Sequence, residues 1–191
     1  MKRLYHKILQ VITLGTLVLC AHLSVGYADV TEEISKSFSV NSGGTLYIES
    51  DIGSIDITTN TKSAVSVTIE KIANVFSKSS GKDILERFEV TLNQDGDDVH
   101  ITGDFEQGIG GFFSDIGRKI KVRYKVSVPY EYNLDLKTAG GSIEIADLRG
   151  VVRAKTAGGS LRFGSIQGEI DGKTAGGSIR VEQSEGDVEL E

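Results

Sequence analysis

The sequence predicts an all-β protein, a β-solenoid of the single-stranded β-helix type with coils of about 18 residues and a less regular N-terminal half. Three observations lead to this prediction. The motif Lys-Thr-Ala-Gly-Gly-Ser returns twice at a constant spacing of 18 residues. Apolar and polar side chains alternate along much of the chain, as in strands with one buried face. Glycine accounts for 23 of the 191 residues and proline for one, which favours many tight turns and excludes collagen.

The first 28 residues have the pattern of a secretory signal peptide. Three basic residues precede an apolar run at residues 8–19, which is shorter than the ~20 residues of a membrane-spanning helix. Gly26 and Ala28 place small residues at positions −3 and −1, so we expect cleavage after Ala28 and export of residues 29–191. The formal charge of −6 then becomes −9, because three positive charges leave with the signal.

A lipoprotein signal is the alternative. Leu17-Val18-Leu19-Cys20 resembles a lipobox, in which Cys20 would receive lipid, although Leu19 stands where Gly, Ala or Ser is usual. An uncleaved anchor is a third option, and every option sends the chain across a membrane. After cleavage at Ala28 no cysteine remains, so packing and backbone pairing would have to stabilise the fold without a disulfide.

The mature chain is predicted to be one β-solenoid domain, with irregular strands and a flap at residues 33–128 and regular repeats at residues 129–191. Strands are predicted where apolar residues alternate, at residues 45–49, 53–57, 65–69, 88–92, 99–101 and 121–128. Residues 81–87 have room for one helical turn. Asp95-Gly96 predicts a hairpin turn, and Pro129 ends the last of these strands.

The segment at residues 103–117 breaks the alternation and is apolar for a loop. One interpretation is a flap whose phenylalanines cover one end of the core. The other is a contact site for a partner or a lipid surface. This segment is the best candidate that the sequence offers for a contact surface, and its apolar residues are Phe105, Ile109, Phe112, Phe113 and Ile116.

The repeat occupies residues 137–142, 155–160 and 173–178, and each unit is predicted to form two short strands and two turns. One unit cannot fold alone, because about five inward apolar side chains at ~2 kcal/mol each do not offset ~1–2 kcal/mol of backbone entropy per residue. Coils of equal length can stack ~4.8 Å apart and share a core; a meander sandwich is the alternative. The residues expected to shape the coils are Thr138, Gly140, Gly141, Thr156, Gly158, Gly159, Thr174, Gly176 and Gly177.

Stacking in register predicts columns of identical or complementary side chains. The threonines of the motif would form an inward hydroxyl ladder, and its lysines would align on the surface. A neighbouring outward column of alternating charge would partly neutralise these lysines. A basic strip for an anionic polymer is the functional alternative to this architectural interpretation. The lysine column comprises Lys137, Lys155 and Lys173, and the mixed column comprises Asp135, Arg153, Asp171 and Glu189.

A pre-proline strand leads into the segment LDLKTAGGSIEIADLRGVVRAKTAGGSLRF. This pattern resembles the bacterial putative-adhesin family of unknown function, also called the toastrack domain, over roughly residues 40–191 and most clearly after Val122. The resemblance implies a β-solenoid exported to, or anchored at, the bacterial envelope, and it implies no catalytic residues. The chain departs from the pattern at Glu191, inside a fourth coil, so we expect either a truncation or a docking edge at residues 186–191.

These observations favour an exported, non-enzymatic β-solenoid of the cell envelope that serves surface interaction, adhesion or scaffolding, with an envelope protein or polysaccharide as its partner. The alternatives are an extracytoplasmic sensor module of an envelope-stress system and a polysaccharide-active β-helix enzyme. His100 is the only histidine of the mature chain and tryptophan is absent, which disfavours an enzyme. The net negative charge disfavours a nucleic-acid partner.

No cofactor or metal is expected. Asp95, Asp97 and Asp98 could approach Ca²⁺, but their loop lacks the remaining spaced ligands of a known calcium motif. A calcium-binding solenoid also needs an aspartate after its repeat glycines, and the motif has none. After signal cleavage, no membrane span is predicted.

Overall fold

The computed structural model describes residues 28–75, 77–106 and 117–191. The predicted signal segment upstream of Ala28, with Cys20, lies outside the described residues, and so do four residues of the predicted contact surface (Ile109, Phe112, Phe113 and Ile116). The described protein is all-β apart from one helix. No helix in this part of the chain is long and apolar enough to cross a membrane.

The elements in chain order are β1 (Ala28–Ser39), β2 (Thr45–Ser50), β3 (Ser54–Asn60), β4 (Ala64–Val75), α1 (Lys78–Glu86), β5 (Phe88–Asp95), β6 (Asp98–Phe105), β7 (Ile120–Pro129), β8 (Asn133–Thr138), β9 (Ile143–Ile145), β10 (Leu148–Arg149), β11 (Val152–Thr156), β12 (Leu161–Gln167), β13 (Ile170–Thr174), β14 (Ile179–Ser184) and β15 (Val188–Leu190). They form two mixed sheets. The first has the order β1-β4-β7-β3-β9-β12-β10, with β14 also paired to β12, and the second has the order β15-β13-β11-β8-β2-β6-β5.

The repeats pair in parallel with an offset of 18 residues in both sheets. In the second sheet, Thr138 lies beside Thr156, which lies beside Thr174, as the sequence predicts. In the first sheet, Ile143 pairs with Leu161 in the same way. The offset is constant because equal coils leave every strand directly above its counterpart, where each can supply the backbone hydrogen bonds that the other lacks.

The stack extends into the N-terminal half through β2 and β3. Ser50 pairs with Thr138, and Ile55 pairs with Ile143. Residues 53–57, GSIDI, therefore share the register of GSIEI at residues 141–145. Next to this stack, β7 and β6 still pair in parallel with β3 and β2. The strands beyond them are antiparallel: β4 pairs with β7, β1 pairs with β4, and β5 forms a hairpin with β6.

Two local predictions are tested here. The Asp95-Gly96 hairpin turn is confirmed, and Gly96 has φ +57°, the left-handed conformation that glycine adopts at low cost. The helix is longer than the predicted single turn and starts earlier, because Ser77 caps it by accepting a hydrogen bond from the Ser80 amide at 3.5 Å.

The second glycine of each corner is required by close packing of backbones. A Cβ on Gly159 would lie well inside van der Waals contact of the Gly141 carbonyl, and one on Gly177 would meet the Gly159 carbonyl in the same way. Of these three glycines only Gly141 has a positive φ, +140°. Close backbone packing, rather than a positive φ, therefore requires glycine at Gly159 and Gly177.

Candidate functional site

The repeat threonines tie each strand of the second sheet to the corner of the coil before it. Thr156 donates its hydroxyl to the Gly141 carbonyl oxygen at 2.8 Å, and Thr174 donates to Gly159 at 2.7 Å. Thr138, one coil earlier, donates at 3.1 Å to Gly53. Each bond satisfies a carbonyl at a turn where no strand partner is available, so the hydroxyl ladder is a structural device.

Ser50 is the first member of this ladder and was not predicted. Its buried hydroxyl lies 2.7 Å from the Tyr124 hydroxyl, and it bonds to the Ile52 carbonyl at 2.7 Å. Burial raises the pKa of Tyr124 far above its ordinary value. A signal was present in the sequence, because Ser50 precedes Gly53 by the same three residues that separate Thr138 from Gly141.

An open cavity of about 610 Å³, which we call the corner groove, runs along these corners. Its floor and one side consist of the Lys-Thr-Ala segments of three successive coils. In-register pairing places the three lysines one strand interval apart, or ~4.8 Å. The other lining residues are Glu49, Ser50, Asp51, Asp104 and Glu191.

The positive charge of the lysine column is offset by acidic neighbours. Lys137 lies 3.8 Å from Asp135, and Lys155 lies 3.8 Å from Asp171. The predicted column of alternating charge, to which these aspartates belong, is present in register. Lys173 contacts Glu191 at 3.0 Å, and this hydrogen bond raises the pKa of the lysine. A basic strip for an anionic polymer is therefore not favoured.

The far end of the corner groove is acidic. Burial, followed by the charges of Asp51 and Glu49, raises the pKa of Asp104. The Asp51 carboxylate accepts a hydrogen bond from the Phe105 amide at 3.1 Å. The groove is thus dipolar, with lysines along the repeat corners and carboxylates where β2 and β6 end.

Phe105 is the one residue of the predicted contact surface that the structure describes. It is only 8% exposed and packs edge-on against Phe88 with ring centroids 5.1 Å apart. For this residue, the interpretation as a cover over the core fits the packing. Of the described residues that flank the other four, Asp104 lines the corner groove, and Gly117 lines a neighbouring cavity with Gly140.

The predicted acidic hairpin tip is used for structure. Asp97 accepts hydrogen bonds from the backbone and side chain of Asn41, and Asp98 accepts one from the Thr45 amide at 2.7 Å. These bonds join the β5–β6 hairpin to the loop before β2. Within the described ranges, no group of three or more histidine, cysteine or acidic side chains is arranged to hold a metal ion.

No family model matches the chain, and no curated protein matches it. Among solved structures, a putative cell adhesion protein from Clostridium sporogenes aligns with a TM-score of 0.39 at 7% identity, over 85% of this chain and 100% of its own. A putative adhesin from Parabacteroides distasonis aligns with a TM-score of 0.36 at 10% identity, over 83% of this chain and 70% of its own. A putative adhesin from Bacteroides fragilis aligns with a TM-score of 0.28 at 11% identity, over 84% of this chain and 97% of its own. Similarity at this level supports no assignment of function.

Proposed function

We propose that the chain is an exported, non-enzymatic β-solenoid of the bacterial cell envelope that binds other surface molecules, in adhesion or scaffolding. The observation that carries this proposal is the 18-residue parallel register of the repeats, which sets the same side chains at equal intervals along one open groove. A stack of this kind gives a stiff surface with repeating chemistry, which suits an extended partner.

The corner groove is the proposed contact surface. Lys137 and Lys155 are about half exposed, and their aspartate partners at 3.8 Å are largely buried. The groove therefore presents ammonium groups together with carboxylates, which suits a surface partner of mixed charge rather than an anionic polymer. Phe112 and Phe113, which the sequence predicts as contact residues, are included in the proposal as apolar members of the segment that follows Phe105.

Recovery with envelopes tests this proposal. The full chain, expressed with its signal in a bacterium, should co-sediment with isolated bacterial envelopes, and mass spectrometry should find Asp29 at its N-terminus. Lys137→Gln/Lys155→Gln and Phe112→Ser/Phe113→Ser should each reduce recovery about threefold or more, the effect of losing contacts of ~0.6 kcal/mol or more.

Lys78→Gln/Lys82→Gln is the matched control, because it removes the same charge from the surface of α1. Its recovery should equal that of the wild type. Failure of the wild type to sediment would contradict surface binding, and equal losses in the two lysine double variants would show an effect of charge alone. A variant recovered like the wild type removes its residues from the contact surface. An intact Met1 would contradict signal cleavage, and a lipid-modified Cys20 would establish the anchored form.

A further inference from the structure

A second groove crosses the outer face of the first sheet, away from the repeat corners. Two open cavities of about 400 and 460 Å³ both include Asp56 and Thr58 in their linings, so they form one continuous depression, which we call the sheet trough. It runs across β4, β7, β3, β9 and β12, which are consecutive in the sheet. Four strand intervals make it ~19 Å long.

The floor of the sheet trough carries hydroxyl groups on short side chains. Ser66 pairs with Ser127, which pairs with Thr58, so these three side chains form a row across neighbouring strands. The Ser127 hydroxyl accepts a hydrogen bond from the side-chain Nδ2 of Asn60 at 2.9 Å. Beyond Thr58 the lining continues with Ala146 and Gly164, whose small size keeps the depression open.

One wall of the sheet trough carries a hydroxyl and an ammonium donor, followed by two carboxylate acceptors. Thr68, Lys125, Asp56 and Glu144 pair successively across four strands. Lys125 is held by Glu70 at 3.2 Å. The carboxylate of Asp56 is half-buried, and no hydrogen bond or ion pair to it occurs within the described residues. Burial and the charge of Glu144 raise the pKa of Asp56, against the opposing charge of Lys125.

The charge of the lining restricts the ligand. Four carboxylates and one ammonium line the two cavities, which disfavours an anionic polymer. Hydroxyl groups both donate and accept, so they can pair with the serine and threonine hydroxyls, with Lys125 and with the unpartnered Asp56 carboxylate. A ligand with many hydroxyls and no charge can pair with all of these groups, and Lys125, which is already paired with Glu70, requires no counter-charge from it.

We propose that the sheet trough binds a neutral, linear polysaccharide. This inference rests on the proposed surface-binding function, but it assigns a different face and names the ligand class. The chain would then hold glycan across the outer face of the first sheet while the corner groove stays free for another contact.

Affinity electrophoresis of the full-length mature protein tests this inference, with gels that contain dextran, mannan or xyloglucan as neutral probes and polygalacturonate or polylysine as charged probes. At least one neutral polymer should retard the wild type more than either charged probe. Asp56→Ala/Glu144→Ala should bind that polymer at least ~10-fold more weakly, as expected for the loss of charged hydrogen bonds. Thr58→Arg, which places a long side chain where the two cavities meet, should have a similar effect.

Glu86→Ala/Glu89→Ala is the matched control, because it removes two exposed carboxylates outside the sheet trough and should stay within about twofold of the wild type. Circular dichroism and melting temperature check that each variant is folded. The inference is overturned if no neutral polymer retards the protein, if a charged probe retards it more, or if both folded trough variants bind like the wild type. The trough variants keep an intact lysine column. If they lose glycan binding but are recovered with envelopes as well as the wild type is, the proposed function stands.

Release of reducing ends from the retained polymer separates binding from catalysis. Intact polymer supports a binding site. Cleavage that depends on Asp56 and Glu144 would support the sheet trough as a glycan site and overturn the non-enzymatic function, because a pair of carboxylates is the usual machinery of glycoside hydrolysis.

Discussion

Replacing Gly159 by alanine is expected to destabilise the fold by more than ~3 kcal/mol, an effect at the upper end of single substitutions. The added Cβ would overlap the Gly141 carbonyl and approach the Ser142 nitrogen at 2.6 Å. Both groups are backbone, so no side chain can move aside. The two coils would have to separate, which would lengthen the hydrogen bonds of the strands on both sides of the corner, including that from Ile143 to Ser160.

Urea denaturation measures this effect, and Gly176→Ala is the matched control. Gly176 belongs to the same motif one coil later, and a Cβ there would meet its nearest atom, the Ala157 carbonyl oxygen, at 3.2 Å. A few tenths of an ångström of movement relieves that contact, so we expect a cost below ~1 kcal/mol. Equal stability of the two variants would show that the corners do not pack as closely as described.

Replacing Lys71 by methionine is expected to destabilise the fold by about 2 kcal/mol or more, because two backbone carbonyls lose the buried ammonium that donates to them. The Lys71 side chain is 6% exposed, and its ammonium donates to the carbonyls of Leu85 at 3.1 Å and Phe88 at 3.2 Å. It also lies 3.0 Å from the Glu32 carboxylate. The lysine thus joins β1, β4 and the C-terminal end of α1, where a positive charge is favourable.

Lys36→Met provides the comparison for Lys71→Met in the same denaturation experiment. Lys36 is exposed, and its ammonium has a single carbonyl acceptor, Leu92, at 3.4 Å. Its replacement should cost less than ~1 kcal/mol. If the two variants lose the same stability, the buried network contributes nothing beyond an ordinary surface lysine, and the attachment of α1 must depend on apolar packing.

The repeated part of the fold could be predicted from sequence because each coil constrains the next. A constant spacing of 18 residues allows only one parallel register, and that register fixes which side chains align, from the threonine ladder to the column of Asp135 and Arg153. Gly53 and Ile55 match Gly141 and Ile143 in type and in spacing, so the sequence also indicates the register of β3.

The remaining part of the fold could not be predicted, because its strand pairings and contacts join residues that are far apart in the sequence. Alternation identifies β1 and β4 as strands but does not determine their antiparallel pairing, which depends on the packing of both against β7 and α1. Lys71 follows Val67 and Ile69 on the buried face of β4 by alternation, but the groups that satisfy its ammonium, on α1, β5 and β1, are distant in sequence. The sheet trough has no sequence signature either, because Ser66, Ser127 and Thr58 are neighbours only through the order of the strands.

Both grooves depend on the parallel register of the repeats, which through-hydrogen-bond NMR couplings can measure. The amide of Ile143 should couple to the carbonyl carbon of Ser160, and the amide of Leu161 to that of Ser178, since these bonds have N–O distances of 3.0 and 2.9 Å. Both couplings with the same 17-residue offset are the predicted result. Couplings to carbonyls at other offsets, or rapid exchange of both amides with water, would contradict the stacked architecture and the surfaces built on it.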